Sequence, residues 1–212
     1  MQKTMIAVPC MDYVHADFFR SCLSLNPVGY TEFFISAASL VYDARNQLAK
    51  MAIDKGFDRV LWLDSDMLFD PDLIARLNAR IDEGAEYVSA FYIRRKPPFH
   101  PVIYKELTIE KIGEREYLPK AEAYLDYPQD SYFEIAASGF GAVMMTTEVI
   151  RRIAERFGLP FSPILGFGED LSFCKRAGEL GIKMYCDSNI KLGHIGSSVF
   201  TEQIYRETKG NG

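Results

Sequence analysis

The stretch Val60-Leu61-Trp62-Leu63-Asp64-Ser65-Asp66 decides the fold. Four bulky apolar residues run directly into two carboxylates spaced i, i+2. An uninterrupted apolar run suits a strand buried on both faces of a parallel sheet. Open α/β sheets bind ligands at the carboxyl ends of such strands. If the strand continues, Asp64 and Asp66 point the same way and repel, which favours a cation between them. Oxygen ligands suit Mg²⁺ or Mn²⁺, with substrate phosphates completing the shell. The competing reading needs no metal: Asp64 opens a turn, and Asp66 or Asp70 caps a helix starting near Pro71.

Outward from this stretch, strand and helix signals alternate, which predicts βαβ units and a mainly parallel sheet. Strands are expected at Thr4–Val8, Glu32–Ser36, Arg59–Leu63 and Tyr87–Phe91. Helices are expected over His15–Leu25, Asp43–Lys55 and Pro71–Glu83, the last two stopped by Gly56 and Gly84. Residues 92–130 break the rhythm. Arg94-Arg95-Lys96-Pro97-Pro98 opens a long charged excursion with short strands around Val102–Tyr104, read either as a functional loop or as a solvated insertion. Order returns with strands at Glu134–Ala137 and Ala142–Met145, a helix over Thr147–Phe157, and a loop rich in Pro and Gly. A helix from Glu169-Asp170 through Leu180 follows, then strands Lys183–Cys186 and Asn189–Leu192. Neither an internal repeat nor a linker divides residues 1–212, so one domain is expected, with a polar tail at 197–212 that either folds over the site or frays.

Bulk properties narrow the function. The net charge of −5 provides no global basic field for nucleic acid, so an anionic substrate must be held locally. No apolar run reaches the length of a membrane span, and the N-terminus lacks signal-peptide anatomy. Cys10, Cys22, Cys174 and Cys186 are too scattered for a structural zinc site and read as reduced thiols. A cytoplasmic protein is expected, with peripheral membrane association left open.

Five motifs stand in order: Asp43-Ala44-Arg45-Asn46, Leu63-Asp64-Ser65-Asp66, Gly139-Phe140-Gly141-Ala142, Gly168-Glu169-Asp170-Leu171-Ser172-Phe173 and Gly193-His194-Ile195-Gly196. With these, the chain from Thr4 to about Gly196 resembles the GT-A glycosyltransferases, particularly the family-2-type group. The resemblance implies a Rossmann-like three-layer sandwich. It also implies a UDP- or GDP-linked sugar donor bound through Mn²⁺ or Mg²⁺, with an acceptor the sequence does not identify. By the same match Asp66 and His194 would ligate the metal, Asp64 would touch ribose or sugar, and Asp170, beside Glu169, would be the general base of an inverting transfer.

Each residue also has a plainer reading. His194 alone is equally a structural histidine, although Gly193 and Gly196 favour an exposed, irregular backbone there. Glu169 and Asp170 also make a favourable acidic first helical turn. In relatives the segment with Asp43 and Arg45 contacts nucleotide or phosphate, and guanidinium pairs well with phosphate; Asp43 and Asn46 equally suit a helix cap. Pro9 ends the first strand where relatives hold base and ribose, and Ser65 stands between the two aspartates. Gly139, Phe140 and Gly141 read either as a small-residue loop beneath the donor sugar, with Phe140 stacking on a sugar face, or as a turn before a strand. Trp62 reads as core. Arg94, Arg95 and Lys96 suit either a clamp for a phosphorylated acceptor or a solvated run, and His15 and His100 have no evident partner.

No Gln-x-x-Arg-Trp motif of processive synthases is present, which favours single transfers. Two alternatives stay open: a GT-A-like module that binds nucleotide sugar without turnover, and a metal-dependent nucleotidyltransferase. A phosphohydrolase of the Asp-x-Asp type is disfavoured, because Met67 and Leu68 follow where a threonine is wanted.

Overall fold

A computed structural model describes residues 1–11, 13–114 and 116–196. The proposed lid or frayed tail at 197–212 lies outside the described residues. In chain order the elements are β1 Lys3–Cys10, α1 Ala16–Ser24, β2 Tyr30–Ala37, α2 Val41–Asp54, β3 Arg59–Leu63, β4 Met67–Leu68, α3 Leu73–Asp82 and β5 Tyr87–Phe91. Then come β6 Ile103–Lys111, β7 Tyr117–Ala123, β8 Tyr132–Ile135, β9 Ala137–Ser138, β10 Ala142–Thr146, α4 Thr147–Phe157, α5 Glu169–Glu179, β11 Met184–Lys191 and β12 Gly193–His194.

Seven strands form the central sheet in the order β2-β1-β3-β10-β5-β11-β8. β1 runs parallel to β2 and β3, and β5 runs parallel to β11; β10 and β8 are antiparallel to their neighbours. The sheet is therefore mixed and mostly parallel, buried on both faces as the apolar run of β3 requires. Alternate residues serve opposite faces. Val60 and Trp62 pack toward α2, α4 and α5, whereas Leu61 and Leu63 pack toward α1 and α3. Helix α3 sends Leu73, Ile74, Leu77 and Ile81 inward, a stripe at helical spacing. The result is an α/β sandwich of three layers. Helix α2 ends where Gly56 takes φ +65°, a conformation a side chain would strain.

Some boundaries differ from those expected of the sequence. Helix α3 begins at Leu73, two residues after Pro71, and the expected strands at 183–186 and 189–192 are one strand, β11. The span expected as Glu134–Ala137 divides between β8 in the central sheet and β9 in a second sheet. The excursion at 92–130 holds the long antiparallel pair β6 and β7, which β9 joins to make that three-stranded sheet. β7 alternates exposed with half-buried residues beyond its first two, whereas β6 is buried at Ile103 and Tyr104 and half-buried over 106–109, and the charged residues of both strands disguise them as a loop.

Candidate active site

Strands β1, β3 and β5 point their carboxyl ends to one edge of the sheet. Antiparallel β10 starts at that same edge, with Ala142 opposite Leu63. Four segments therefore converge there: 64–66 after β3, 92–96 after β5, 139–141 before β10, and the first turn of α5. The two-stranded ribbon of β4 and β12 adds a fifth. His194 pairs with Met67, and Ile195 donates its N–H to the Asp66 carbonyl at 2.7 Å.

This pairing brings two sequence-distant groups together. His194 Nε2 lies 3.5 Å from Asp66 Oδ2. His194 Nδ1 lies 2.8 Å from the Ile93 carbonyl, which only a protonated Nδ1 can satisfy, leaving the Nε2 lone pair aimed at Asp66 in the neutral ring. Arg95 also pairs with Asp66 Oδ2. Burial pushes the Asp66 carboxyl up, but the hydrogen bond that a protonated His194 donates and the charges of His194 and Arg95 outweigh it and hold the group below its ordinary range. The hydrogen bond to Asp66 in turn raises His194.

Asp64 is organised from below. Arg45 donates from Nη2 to Asp64 Oδ1 at 2.7 Å and from Nε to Glu169 Oε1 at 3.3 Å. The Arg45 side chain is only 2% exposed. Its guanidinium carbon stands 5.1 Å from the Phe140 ring centroid and 5.9 Å from that of Trp62. Burial opposes its charge, but Asp64, then Glu169 and Asp170, outweigh that and keep it cationic. Its Nη1 has no hydrogen-bond partner among the described residues, but the buried guanidinium holds two carboxylates and lines neither cavity at this edge. It braces the site instead.

Asp170 accepts a hydrogen bond from the Leu171 N–H at 2.7 Å. Burial, with Glu169 beside it, lifts its carboxyl from 3.8 to about 6 despite Arg45 and that hydrogen bond.

Two cavities meet at this edge. One, of about 570 Å³, is lined by Asp64, Asp66, Tyr92, Arg94, Arg95, Lys96, Asp170 and His194. The other, of about 440 Å³, is lined by Met11, Tyr13, His15, Ser65, Asp66, Arg95, Ile195 and Gly196. Asp66 and Arg95 stand between them. A further cavity of about 440 Å³ behind α5 is bordered by Glu134 and Lys183, which pair with each other at 3.3 Å, and gathers no comparable set of groups.

Of the two readings of the glycine motif, the turn before a strand is the one the fold shows, since β10 begins at Ala142. Phe140 is buried at 1% exposure among Trp62, Tyr87, Phe161 and Phe173, so it cannot stack on a sugar. A Cβ on Gly139 would lie 2.2 Å from the Tyr92 hydroxyl, and one on Gly141 would lie 2.7 Å from the Tyr92 ring. The glycines thus admit Tyr92, whose hydroxyl accepts the Gly141 N–H at 3.1 Å. Tyr92 in turn packs edge-on against His194, with ring centroids 5.4 Å apart. Asp43 is exposed in the first turn of α2, Pro9 is buried within β1, and neither lines either of these two cavities. The helix cap is Leu40, not Asp43, and Asn46 accepts the Phe161 N–H.

Nothing in the sequence marks Tyr92, Tyr13 or His15 as lining these cavities. Tyr92 is one aromatic past an apolar strand, and His15 comes within reach because its N–H meets the Ser65 carbonyl at 3.3 Å.

No known protein family and no curated protein matches the sequence. Solved structures match in fold. A197 from STIV superposes with a TM-score of 0.58 at 16% identity, covering 95% of this chain and 97% of that one. GalNAc-T7, in a structure with UDP, GalNAc and Mn²⁺, superposes with a TM-score of 0.59 at 13% identity. The fold is GT-A-like. The GalNAc-T7 match covers 93% of this chain but 43% of GalNAc-T7, so this GT-A-like chain spans less than half of that protein. Among the described residues no helix is long and apolar enough to cross a membrane. No group of three or more His, Cys, Asp or Glu side chains is placed to hold a metal among them.

Proposed function

We propose that the chain is a metal-dependent glycosyltransferase that moves a single sugar from a UDP- or GDP-linked donor to an acceptor hydroxyl with inversion. The observation that carries this reading is the meeting of Asp66 and His194 at 3.5 Å where two cavities join, with Asp170 lining one of them. The donor set fits a divalent ion: one carboxylate oxygen and one imidazole nitrogen, oriented through Ile93, suit Mn²⁺ or Mg²⁺ when diphosphate oxygens complete the shell. Bound there, the ion would neutralise charge developing on the nucleoside diphosphate as the glycosidic bond breaks.

The chain's own residues supply the rest. Ser65 and the 440 Å³ cavity take the nucleoside side, with Tyr13 and His15 offering ring faces. Asp64, held by Arg45, presents its free oxygen to ribose or sugar hydroxyls. Asp170 accepts the proton of the acceptor hydroxyl as that oxygen attacks the anomeric carbon. With its carboxyl raised to about 6, Asp170 is mostly ionised near neutrality yet more basic than an ordinary aspartate. Glu169 orients Arg45 rather than touching the reacting atoms.

A second reading is a nucleotide-sugar-binding module without turnover, which would use the same Asp66 and His194 pair. One experiment separates the two: UDP and GDP release from their sugar conjugates, with and without Mn²⁺. Metal-dependent release supports the transferase. Metal-dependent binding without release supports the module, and absence of both overturns the metal–nucleotide reading.

A further inference from the structure

The turn between β5 and β6 presents Arg94, Arg95 and Lys96 to the 570 Å³ cavity. This turn is closed. Ile93 bridges Pro101, the Arg94 N–H meets the His100 carbonyl at 2.9 Å, and the Phe99 N–H meets the Lys96 carbonyl at 2.9 Å. Of the cavity's three carboxylates, Asp64 pairs with Arg45 and Asp66 with Arg95 and His194, while Asp170 has no ion-pair partner among the described residues. Arg94 donates from Nη2 to the neutral Tyr104 hydroxyl at 3.0 Å, and among the described residues neither Arg94 nor Lys96 pairs with a carboxylate. Arg94 and Lys96 are exposed, yet both border the cavity. Here two uncompensated cations line a concave surface of a chain whose net charge is −5.

From this we infer that Arg94 and Lys96 form a phosphomonoester site in the cavity and that, on the transferase reading on which this rests, the acceptor carries that phosphate. A phosphomonoester brings close to two negative charges and three acceptor oxygens. The Arg94 fork retains donors beyond the one given to Tyr104, and Lys96 adds a point charge. Held there, the phosphate places the rest of the acceptor in the same cavity as Asp170. The phosphate source is either a phosphorylated sugar or a lipid headgroup.

The test is calorimetric binding to the full chain, saturated with UDP and Mn²⁺ so that the donor side is filled. The probes are glucose 6-phosphate, glucose, and phosphatidylcholine vesicles with and without phosphatidic acid. One phosphate-bearing probe is expected to bind and its phosphate-free counterpart not, and the probe that binds names the source. Arg94→Gln with Lys96→Gln is expected to weaken that binding by roughly tenfold or more, the cost of a lost charge-assisted contact, with UDP–Mn²⁺ affinity unchanged. The site is overturned by absence of phosphate-dependent binding, by equal affinity in the variant, or by a parallel loss of UDP–Mn²⁺ affinity, which would give these cations to the donor diphosphate. Should UDP and Mn²⁺ not bind at all while the phosphate probe still depends on Arg94 and Lys96, the transferase reading fails and the phosphate site stands.

Discussion

His194 Nε2 faces Asp66 Oδ2 at 3.5 Å because the short pairing of β12 with β4 clamps the two backbones together. A histidine and a carboxylate 128 positions apart are thereby joined at one point. If that point holds a metal, Asp66→Asn removes its only anionic protein ligand while leaving shape and backbone pairing intact. The native protein is expected to gain thermal stability from UDP or GDP only with Mn²⁺ present, since a ligand of the folded state stabilises by mass action. Asp66→Asn is expected to abolish that gain without lowering the ligand-free melting temperature by more than a few degrees. A variant that keeps its Mn²⁺ dependence removes the metal assignment.

Arg95 competes for the same oxygen. Its guanidinium pairs with Asp66 Oδ2, and a divalent ion there would displace it. The Arg95 side chain is 50% exposed, so the pair is worth about 1 kcal/mol at most. Arg95→Gln is expected to tighten apparent Mn²⁺ affinity by up to about fivefold, read from the Mn²⁺ concentration giving half-maximal nucleotide binding. Weaker nucleotide binding in the variant would show instead that Arg95 serves the diphosphate.

Asp170 links activity to stability with opposite signs. Its carboxyl is raised from 3.8 to about 6, so the folded state binds a proton more tightly than the unfolded chain. The fold therefore gains from this group at low pH and loses that gain as pH rises from about 4 through about 6. Asp170→Asn removes the burden and is expected to melt higher than the native protein at pH 7.5, by at most about 3 kcal/mol, with the gap closing toward pH 4. The same variant is expected to keep donor affinity and lose roughly 10²–10⁴ in turnover. Native turnover should fall on acidification through about pH 6. Turnover close to native in Asp170→Asn would require another base or a retaining mechanism.

Gly141 faces Tyr92, and a Cβ there would sit 2.7 Å from the ring. Buried on both sides, neither group has room to yield. Gly141→Ala is expected to destabilise by about 1–3 kcal/mol, as overpacking does, in urea unfolding. An unchanged midpoint would show that the motif has slack for a ligand after all.

The aspartates at the end of β3 were legible because an apolar strand announces its own carboxyl end. The alternation of β and α signals likewise placed the layers, and Trp62 read correctly as core. The antiparallel direction of β10 was not legible, since Ala142–Thr146 is as apolar as a parallel strand and burial alone writes that pattern. Nor was the fate of Arg45. A guanidinium near a helix start suits phosphate or carboxylate equally, and only the fold shows that Asp64 and Glu169, reached across 19 and 124 positions, already hold it. Phe140 leaves two readings open for a related reason: glycines on both sides suit an open ligand loop or a turn before a strand, and only the fold shows that they make room for Tyr92.

That brace sets the last prediction. Arg45 is buried beneath Asp64 and Glu169, whose side chains are 31% and 18% exposed. Removing one partner from such a pair leaves charge without compensation, at a cost of about 3–5 kcal/mol. Arg45→Met is expected to lower urea stability by that amount. Arg45→Lys should fall between it and the native protein, because an ammonium cannot bridge two carboxylates as the planar fork does. If the network is the cause, adding Glu169→Gln to Arg45→Met should recover part of the loss, since one stranded charge disappears. Strictly additive costs in the double variant would mean that Arg45 acts by packing against Phe140 and Trp62 rather than by holding the carboxylates.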